Sequence, residues 1–178
     1  MAPESILHFE IGDKVVYPNH GVGVIEQISS RTNGASVEKF YMLKIKASSL
    51  KVMIPFHNAS HVGLRPVVKN SEVNKIIEFL GQAPGDGNAD WKDRYKENSD
   101  KLRTGTLLET AAVLKSLLVL NAVKPLSFRE RKMLDRAKHL LVTEMSMAKN
   151  MVEDAMEELM GRSLAKSSLR FPPAMEEE

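Results

Sequence analysis

The sequence contains no cysteine, which excludes disulfide bonds, thiol nucleophiles and zinc sites with cysteine ligands. It has no long run of uncharged apolar residues, and its first residues, MAPESILHFEIGDK, show no basic segment followed by an apolar core. A transmembrane helix and a secretory signal peptide are therefore not expected. We expect a cytoplasmic protein that has no membrane partner.

Residues that could catalyse a reaction or hold a cofactor are also scarce. The histidines form no HExxH motif and no i,i+4 pair on a predicted helix. No GxGxxG, GK[ST] or GxSxG motif is present, and the GVG segment at 21–23 is typical of a strand start or a bulge. We expect no metal site, no cofactor, no small-molecule substrate and no enzymatic activity. The scattered histidines are His8, His20, His57, His61 and His139.

Charge of either sign is present in ordinary amounts, and the net charge is only +2. Its distribution is uneven, because the segment 124–139 is mostly basic and the chain turns acidic from Glu153 onward. A basic helix in a nearly neutral protein can still present one positive face. The basic residues of that segment are Lys124, Arg129, Arg131, Lys132, Arg136 and Lys138, against Glu130 and Asp135.

The first 68 residues have the pattern of short β-strands. KVVYP, GVGVIEQI, FYMLKI and LKVMIP are rich in β-branched or aromatic residues, and turn residues separate them. Asn33-Gly34 is a strong hairpin signal. So many strands in so short a segment predict a small, strongly bent sheet or barrel. Alternation places Tyr41, Leu43 and Ile45 on one face of their strand and Phe40, Met42 and Lys44 on the other, with Met53 and Pro55 opposed to Val52 and Ile54.

From Ser71 onward the apolar pattern becomes helical. SEVNKIIEFLG repeats its apolar residues at i, i+3, i+4 and i+7, with Ser71 as a predicted cap and Gly81 as the predicted end. A second helix is predicted to begin at Trp91. Two more follow capping-box sequences that start at Thr106 and Ser127.

These patterns predict an α+β protein in two parts. A small bent β-sheet over 1–68 precedes an all-α bundle of four or five helices over 69–161, of which the last covers about 152–160. Residues 162–178, which contain two adjacent prolines, are expected to form a disordered tail.

The only tryptophan, Trp91, stands among charges after a segment rich in glycine and proline. Its helical neighbours Tyr95 and Asn98 form a mixed face that supports burial only in part. One interpretation is therefore a core anchor of the helical half. The other is an exposed indole that wedges into DNA or stacks on a base, with Arg94 and Lys96 placed for phosphates. Spacing alone does not choose between them.

Six segments between Phe9 and Ala148 resemble, in order, the CarD/CdnL family of bacterial transcription regulators. The first and last of them are specific as a pair, whereas about the first 65 residues alone also resemble a module of the transcription-repair coupling factor. The segments are IGDKVVYPNHGVGVIEQI, FYMLKI, VMIP, VGLRPVV, DWKDRYKEN and LSFRERKMLDRAKHLLVTEMSMAK.

The resemblance implies a division of labour. Residues 1–68 would be a Tudor-like domain that binds the β subunit of RNA polymerase. Residues 69–161 would contact promoter DNA at the upstream edge of the transcription bubble, where a tryptophan that corresponds to Trp91 wedges into the minor groove. The implied function is stabilisation of the open promoter complex. Since no helix-turn-helix or base-reading pattern is evident, direct sequence recognition is not expected.

The resemblance also implies contacts to polymerase. Arg31 matches a position at which some family members use arginine against the polymerase, and Met53 falls where members have arginine or methionine. The contact predicted for this chain is therefore partly apolar and comprises Arg31, Met42, Met53 and Pro55. An alternative role for Met53 is to fill the core, but the strand alternation favours exposure.

For DNA, Arg94 and Lys96 keep the basic character of the family beside Trp91, whereas Asp93 stands where arginine is common. The FRERK block adds candidate phosphate contacts, for which the alternative is a solvated first helical turn. The predicted DNA-binding set is Trp91, Arg94, Lys96, Arg129, Arg131 and Lys132.

A second functional class could use the same residues. The chain would then be a protein–protein adaptor that is tethered to polymerase and whose helical half never touches DNA. The basic segment 124–138 and an exposed Trp91 would suit such an interface as well. Steep salt dependence of DNA binding would favour the first function, and no DNA affinity even with polymerase present would favour the adaptor.

Overall fold

The structure, a computed structural model, describes residues 8–18, 20–84, 91–104 and 106–173. The chain divides into two compact units whose boundary lies between Val67 and Val68. The first unit contains the β-strands and the second contains the α-helices. The predicted α+β class is confirmed.

The described residues of the first unit form a five-stranded antiparallel sheet with the strand order β4-β3-β2-β1-β5. Gly34 makes the predicted hairpin turn between β2 and β3 at φ +65°, a left-handed conformation that glycine adopts without a steric penalty. An irregularity in the pairing between Ile25 and Gln27 interrupts β2, and such bulges bend a strand. The strands are β1 (Lys14–Tyr17), β2 (Gly21–Asn33), β3 (Ser36–Ile45), β4 (Lys51–Pro55) and β5 (Arg65–Pro66), with a short 3₁₀ helix at Phe56–Asn58.

Alternation along β3 decides which side of the sheet faces the core. Tyr41, Leu43 and Ile45 are at most 2% exposed, as the pattern predicts. The Tyr41 ring stacks on Phe56 with 4.1 Å between centroids and meets Phe9 edge-on at 5.6 Å. The Tyr41 hydroxyl also accepts a hydrogen bond from the Phe9 amide at 3.2 Å. Tyr41 thus packs with Phe9 and Phe56 in the core. The other face of β3 is available for contacts.

The GVG segment has a structural role. Gly21 begins β2, in agreement with the predicted strand start. A Cβ atom at Gly23 would lie only 2.5 Å from the carbonyl oxygen of Lys44 on β3. Because that neighbour is backbone, no larger residue fits at position 23 without moving a strand.

The described residues of the second unit form five helices. The capping boxes at Thr106 and Ser127 are confirmed. In each, the side-chain oxygen accepts a hydrogen bond from the backbone amide three residues later. The first helix begins at Asn70 with Lys69 as its N-cap, two residues before the predicted cap Ser71, and it ends at Gly81 as predicted. No helix in the part of the chain that the structure describes is long and apolar enough to cross a membrane. The helices are α1 (Asn70–Gly81), α2 (Trp91–Thr104), α3 (Leu107–Val123), α4 (Phe128–Lys149) and α5 (Glu153–Ala165).

The end of the helical unit differs from the sequence prediction. The prediction begins a disordered tail directly after Gly161, whereas α5 continues to Ala165. Beyond the helix, Leu169 is buried and Phe171 packs against the same core. These two apolar side chains offset the entropy of ordering a segment that its prolines alone would mark as loose. Residues 174–178 lie outside the described part of the chain.

Candidate functional site

One face of the sheet collects the predicted polymerase contacts. Met42 on β3 pairs with Met53 on β4, and Phe40 pairs with Pro55. Residues directly opposite each other on antiparallel strands project to the same side. The guanidinium carbon of Arg31 lies 5.9 Å from the centroid of the Phe40 ring. The structure therefore brings Arg31, Phe40, Met42, Met53 and Pro55 onto one surface, which we call the sheet face.

The sheet face is accessible. Met53 is 43% exposed, so it does not fill the core, while Met42 and Pro55 are half-buried and Arg31 is exposed. An apolar surface with a cation at one end suits contact with another macromolecule. No role is predicted for Phe40 from the sequence, although the alternation that turns Met42 outward also turns Phe40 outward. Contact of these residues with polymerase stays a prediction.

Helix α2 carries the predicted DNA wedge. Trp91 is its first residue, but the Trp91 side chain lies outside the described part of the structure, so burial and exposure of the indole are both untested. Further along, Tyr95 packs against the helical core and Asn98 is buried. Arg94 is half-buried and Lys96 is exposed. The helix thus turns Tyr95 and Asn98 inward and leaves Lys96 in solvent.

The first turn of α4 adds basic side chains to α2. The guanidinium carbon of Arg129 lies 4.2 Å from the centroid of the Tyr95 ring, a cation–π contact that joins the two helices. On the neighbouring turn, Lys132 Nζ lies 4.6 Å from the ring centroid of Phe128, which is 65% exposed. The capping box at Ser127 fixes the start of this helix. Of the predicted DNA-binding residues on α4, Arg129 therefore contacts the helix that carries Trp91, Arg94 and Lys96.

Arg131 points to a different neighbour. Its Nη2 donates a 2.6 Å hydrogen bond to the carbonyl oxygen of Pro173, in the segment that follows α5. Part of its fork of five donors is therefore already used within the chain. We call the remaining basic set, Arg94, Lys96, Arg129 and Lys132, the basic edge. Binding of DNA by the basic edge and by Arg131 stays a prediction.

A cleft of about 200 Å³ lies between the end of α1 and helices α2 and α3, and its lining includes Arg94. Its other cation is Lys115, which is only 5% exposed. Lys115 Nζ donates hydrogen bonds of 2.6 Å to the carbonyl oxygens of Phe79 and Gln82. Burial lowers the pKa of Lys115 below its ordinary value. No role is predicted for Lys115 from the sequence, although a lone lysine within the apolar run VLKSLLVL is a signal for a buried, paired ammonium.

These features define a class of protein. A β unit with an apolar sheet face is followed by a helical unit with a basic edge, and no group of three or more His, Asp or Glu side chains in the described residues could hold a metal ion. Each unit thus offers an exposed surface whose chemistry suits contact with another macromolecule.

Comparison with known proteins gives the family. Residues 9–68 match the CarD-like/TRCF RID domain, and residues 75–161 match the CarD C-terminal domain. The chain is 34% identical over 145 residues to "Putative transcription factor YdeB" of Bacillus subtilis (strain 168), an alignment that covers 82% of this chain and 95% of that protein. The chain belongs to the CarD-like family of transcription regulators, which are not enzymes.

Proposed function

We propose that this protein binds the β subunit of RNA polymerase and stabilises the open promoter complex by inserting Trp91 into the minor groove at the upstream edge of the bubble. Family membership supports the role in transcription. The observation that carries the DNA contact is the Arg129–Tyr95 stack, because it brings the basic first turn of α4 to the helix that begins with Trp91.

In this proposal the sheet face is the tether. Held on polymerase in the cytoplasm, the helical unit experiences a high effective concentration of promoter DNA. A nearly neutral chain, with a net charge of +2, then needs only a few phosphate contacts. It also needs no base recognition, because polymerase selects the promoter.

The wedge acts on the equilibrium between melted and closed DNA. An aromatic ring stacked on a base contributes about 1–3 kcal/mol, which corresponds to about a 5- to 150-fold change in that equilibrium. Each phosphate that the basic edge neutralises adds about 0.9 to the slope of log affinity against log salt concentration. The contribution of the stacked indole and the contribution of the phosphate contacts therefore differ in how they respond to salt concentration.

The lifetime of the open complex tests the wedge. With the full chain and polymerase, Trp91→Ala should shorten the lifetime by about 5- to 150-fold and leave co-purification with polymerase unchanged. Lys96→Gln should reduce DNA affinity mainly at low salt, whereas its control Lys75→Gln, at an exposed position of α1, should not. An unchanged lifetime in Trp91→Ala removes the wedge from the proposal. Absence of DNA affinity with polymerase present favours the adaptor.

Co-purification with polymerase tests the tether. Met53→Glu should weaken polymerase binding by more than about 1 kcal/mol, because a carboxylate would have to be desolvated in an apolar contact. Leu50→Glu is the matched control, since Leu50 is 48% exposed against 43% for Met53 but lies in the turn before β4. Equal retention of polymerase by the two variants would show that the sheet face is not the contact.

A further inference from the structure

Lys115 stands in an unusual place for a lysine. It belongs to the middle of α3, where its neighbours Leu114 and Leu117 are core residues, and it is itself only 5% exposed. Lysine is almost never buried to this degree unless its ammonium group is paired. Its environment therefore has to supply partners for the charge.

The partners are backbone oxygens at the end of α1. Lys115 Nζ donates to the carbonyl oxygens of Phe79 and Gln82 at 2.6 Å each and lies 4.5 Å from the centroid of the Phe79 ring. The Phe79 carbonyl oxygen also accepts a hydrogen bond of 3.2 Å from the Gln82 amide, and the carbonyl groups at the end of a helix form the negative end of its dipole. An ammonium group is matched to this position by charge and by hydrogen bonding.

The held residues lie where the chain leaves α1 for α2. Gln82 is the C-cap of α1, and there the backbone becomes extended, with φ −75° and ψ 153°. The next described helix begins at Trp91. Pro84, after the C-cap, and Arg94, in the first turn of α2, line the same cleft as Lys115. We call Lys115 and the two carbonyl groups that it holds the clamp. The clamp thus lies close to both described ends of the connection between α1 and α2.

We propose that Lys115 is a positioning residue, which holds the end of α1 against α3 and so fixes the start of the connection that presents Trp91 at the tip of α2. The effect of the clamp on the open promoter complex rests on the proposed function. The effect of the clamp on Trp91 does not rest on it, because the fluorescence of Trp91 can be measured on the free protein.

Intrinsic fluorescence gives the direct test, since Trp91 is the only tryptophan in the chain. Lys115→Met keeps a long side chain but removes the charge and the donors. In this variant of the full chain, the steady-state fluorescence anisotropy of Trp91 should fall. The open-complex lifetime should shorten by about threefold or more, but by no more than the loss expected for one stacked base. Lys115→Arg, which keeps charge and donors, should restore most of both quantities.

The controls separate positioning from folding. Val142→Ala removes volume from a buried position on α4 and should lower the melting temperature without changing the anisotropy of Trp91. If Lys115→Met folds and its anisotropy equals that of Val142→Ala, the proposal is overturned. If Lys115→Met does not fold, Lys115→Gln replaces it in the same assays. Failure of both neutral variants to fold assigns Lys115 to global folding and also rejects the positioning role.

The open-complex lifetime distinguishes this inference from the proposed function. A fall in anisotropy in Lys115→Met, together with unchanged lifetimes in both Lys115→Met and Trp91→Ala, would keep the clamp and reject the wedge. A shortened lifetime in Trp91→Ala with no response of any kind in Lys115→Met would reject the clamp and keep the wedge.

Discussion

The contact between Arg129 and Tyr95 should be measurable as a coupling energy. It joins the first turn of α4 to the first turns of α2, with the guanidinium carbon 4.2 Å from the ring centroid. Replacing Arg129 by Met keeps an unbranched side chain and removes the charge, and Tyr95→Leu removes the aromatic ring. The double variant then closes a thermodynamic cycle for the free energy of unfolding.

The expected magnitude follows from exposure. Tyr95 is half-buried, but Arg129 is exposed, so solvent screens the cation and the coupling energy should be about 0.5–1 kcal/mol. Phe128 and Lys132 supply a matched control on the same helix, with 4.6 Å between Nζ and the ring centroid. Because Phe128 is 65% exposed, its coupling should lie below about 0.5 kcal/mol.

Urea unfolding of the four proteins of each cycle gives the coupling, and forked-DNA binding at several salt concentrations gives the functional consequence. If Arg129 also neutralises a phosphate, Arg129→Met lowers the salt slope by about 1. A coupling at Arg129–Tyr95 no larger than that of the control pair would show that the stack does not join the helices. The central support for the proposed DNA surface would then be lost.

Two further predictions concern the stability of each unit. Gly23→Ala should reduce the free energy of unfolding of the β unit by about 1–3 kcal/mol through the clash with Lys44, whereas Gly161→Ala, where a Cβ meets nothing within 4 Å, should be neutral or stabilising in the same calorimetric assay. The pKa of Lys115 is lower in the folded protein than its ordinary value of 10.5, so above the folded value the unfolded chain binds more protons and stability rises with pH. Wild type should therefore gain unfolding free energy relative to Lys115→Met as pH rises toward 10.5, and a flat difference in urea titrations would contradict the burial of the ammonium group.

The sequence predicts those features of the fold that depend on residues close together in the chain. The capping boxes at Thr106 and Ser127 depend on residues three positions apart, so their sequence pattern is almost the whole of their structure. The hairpin at Gly34 and the alternation along β3 are local in the same sense. These features position the predicted site, since they set the start of α4 and the outward direction of Met42.

Contacts between distant segments could not be predicted in this way. The start of α1 is a separate, local difference. Ser71 has a good capping side chain, yet α1 begins after Lys69, and helix ends commonly vary by one or two residues. Leu169 is ordered because it reaches a core built by other helices, which no local pattern states. The carbonyl partners of Lys115 lie more than thirty positions earlier in the chain, so the sequence shows only that a lone charge interrupts an apolar run.

Two contact surfaces, as proposed, would explain how a chain with a net charge of only +2 could act at a promoter. A free DNA-binding protein draws most of its affinity from phosphates and becomes weak at physiological salt if it makes few such contacts. Here the basic edge has four cations, and Arg129 and Lys132 each lie against an aromatic ring. If the basic edge binds DNA as proposed, the stack of Arg129 on Tyr95 would reduce the side-chain entropy that Arg129 loses on binding. If the sheet face supplies the binding energy to polymerase, the helical unit has only to favour melted over closed DNA, and a modest, well-positioned surface is enough for that task.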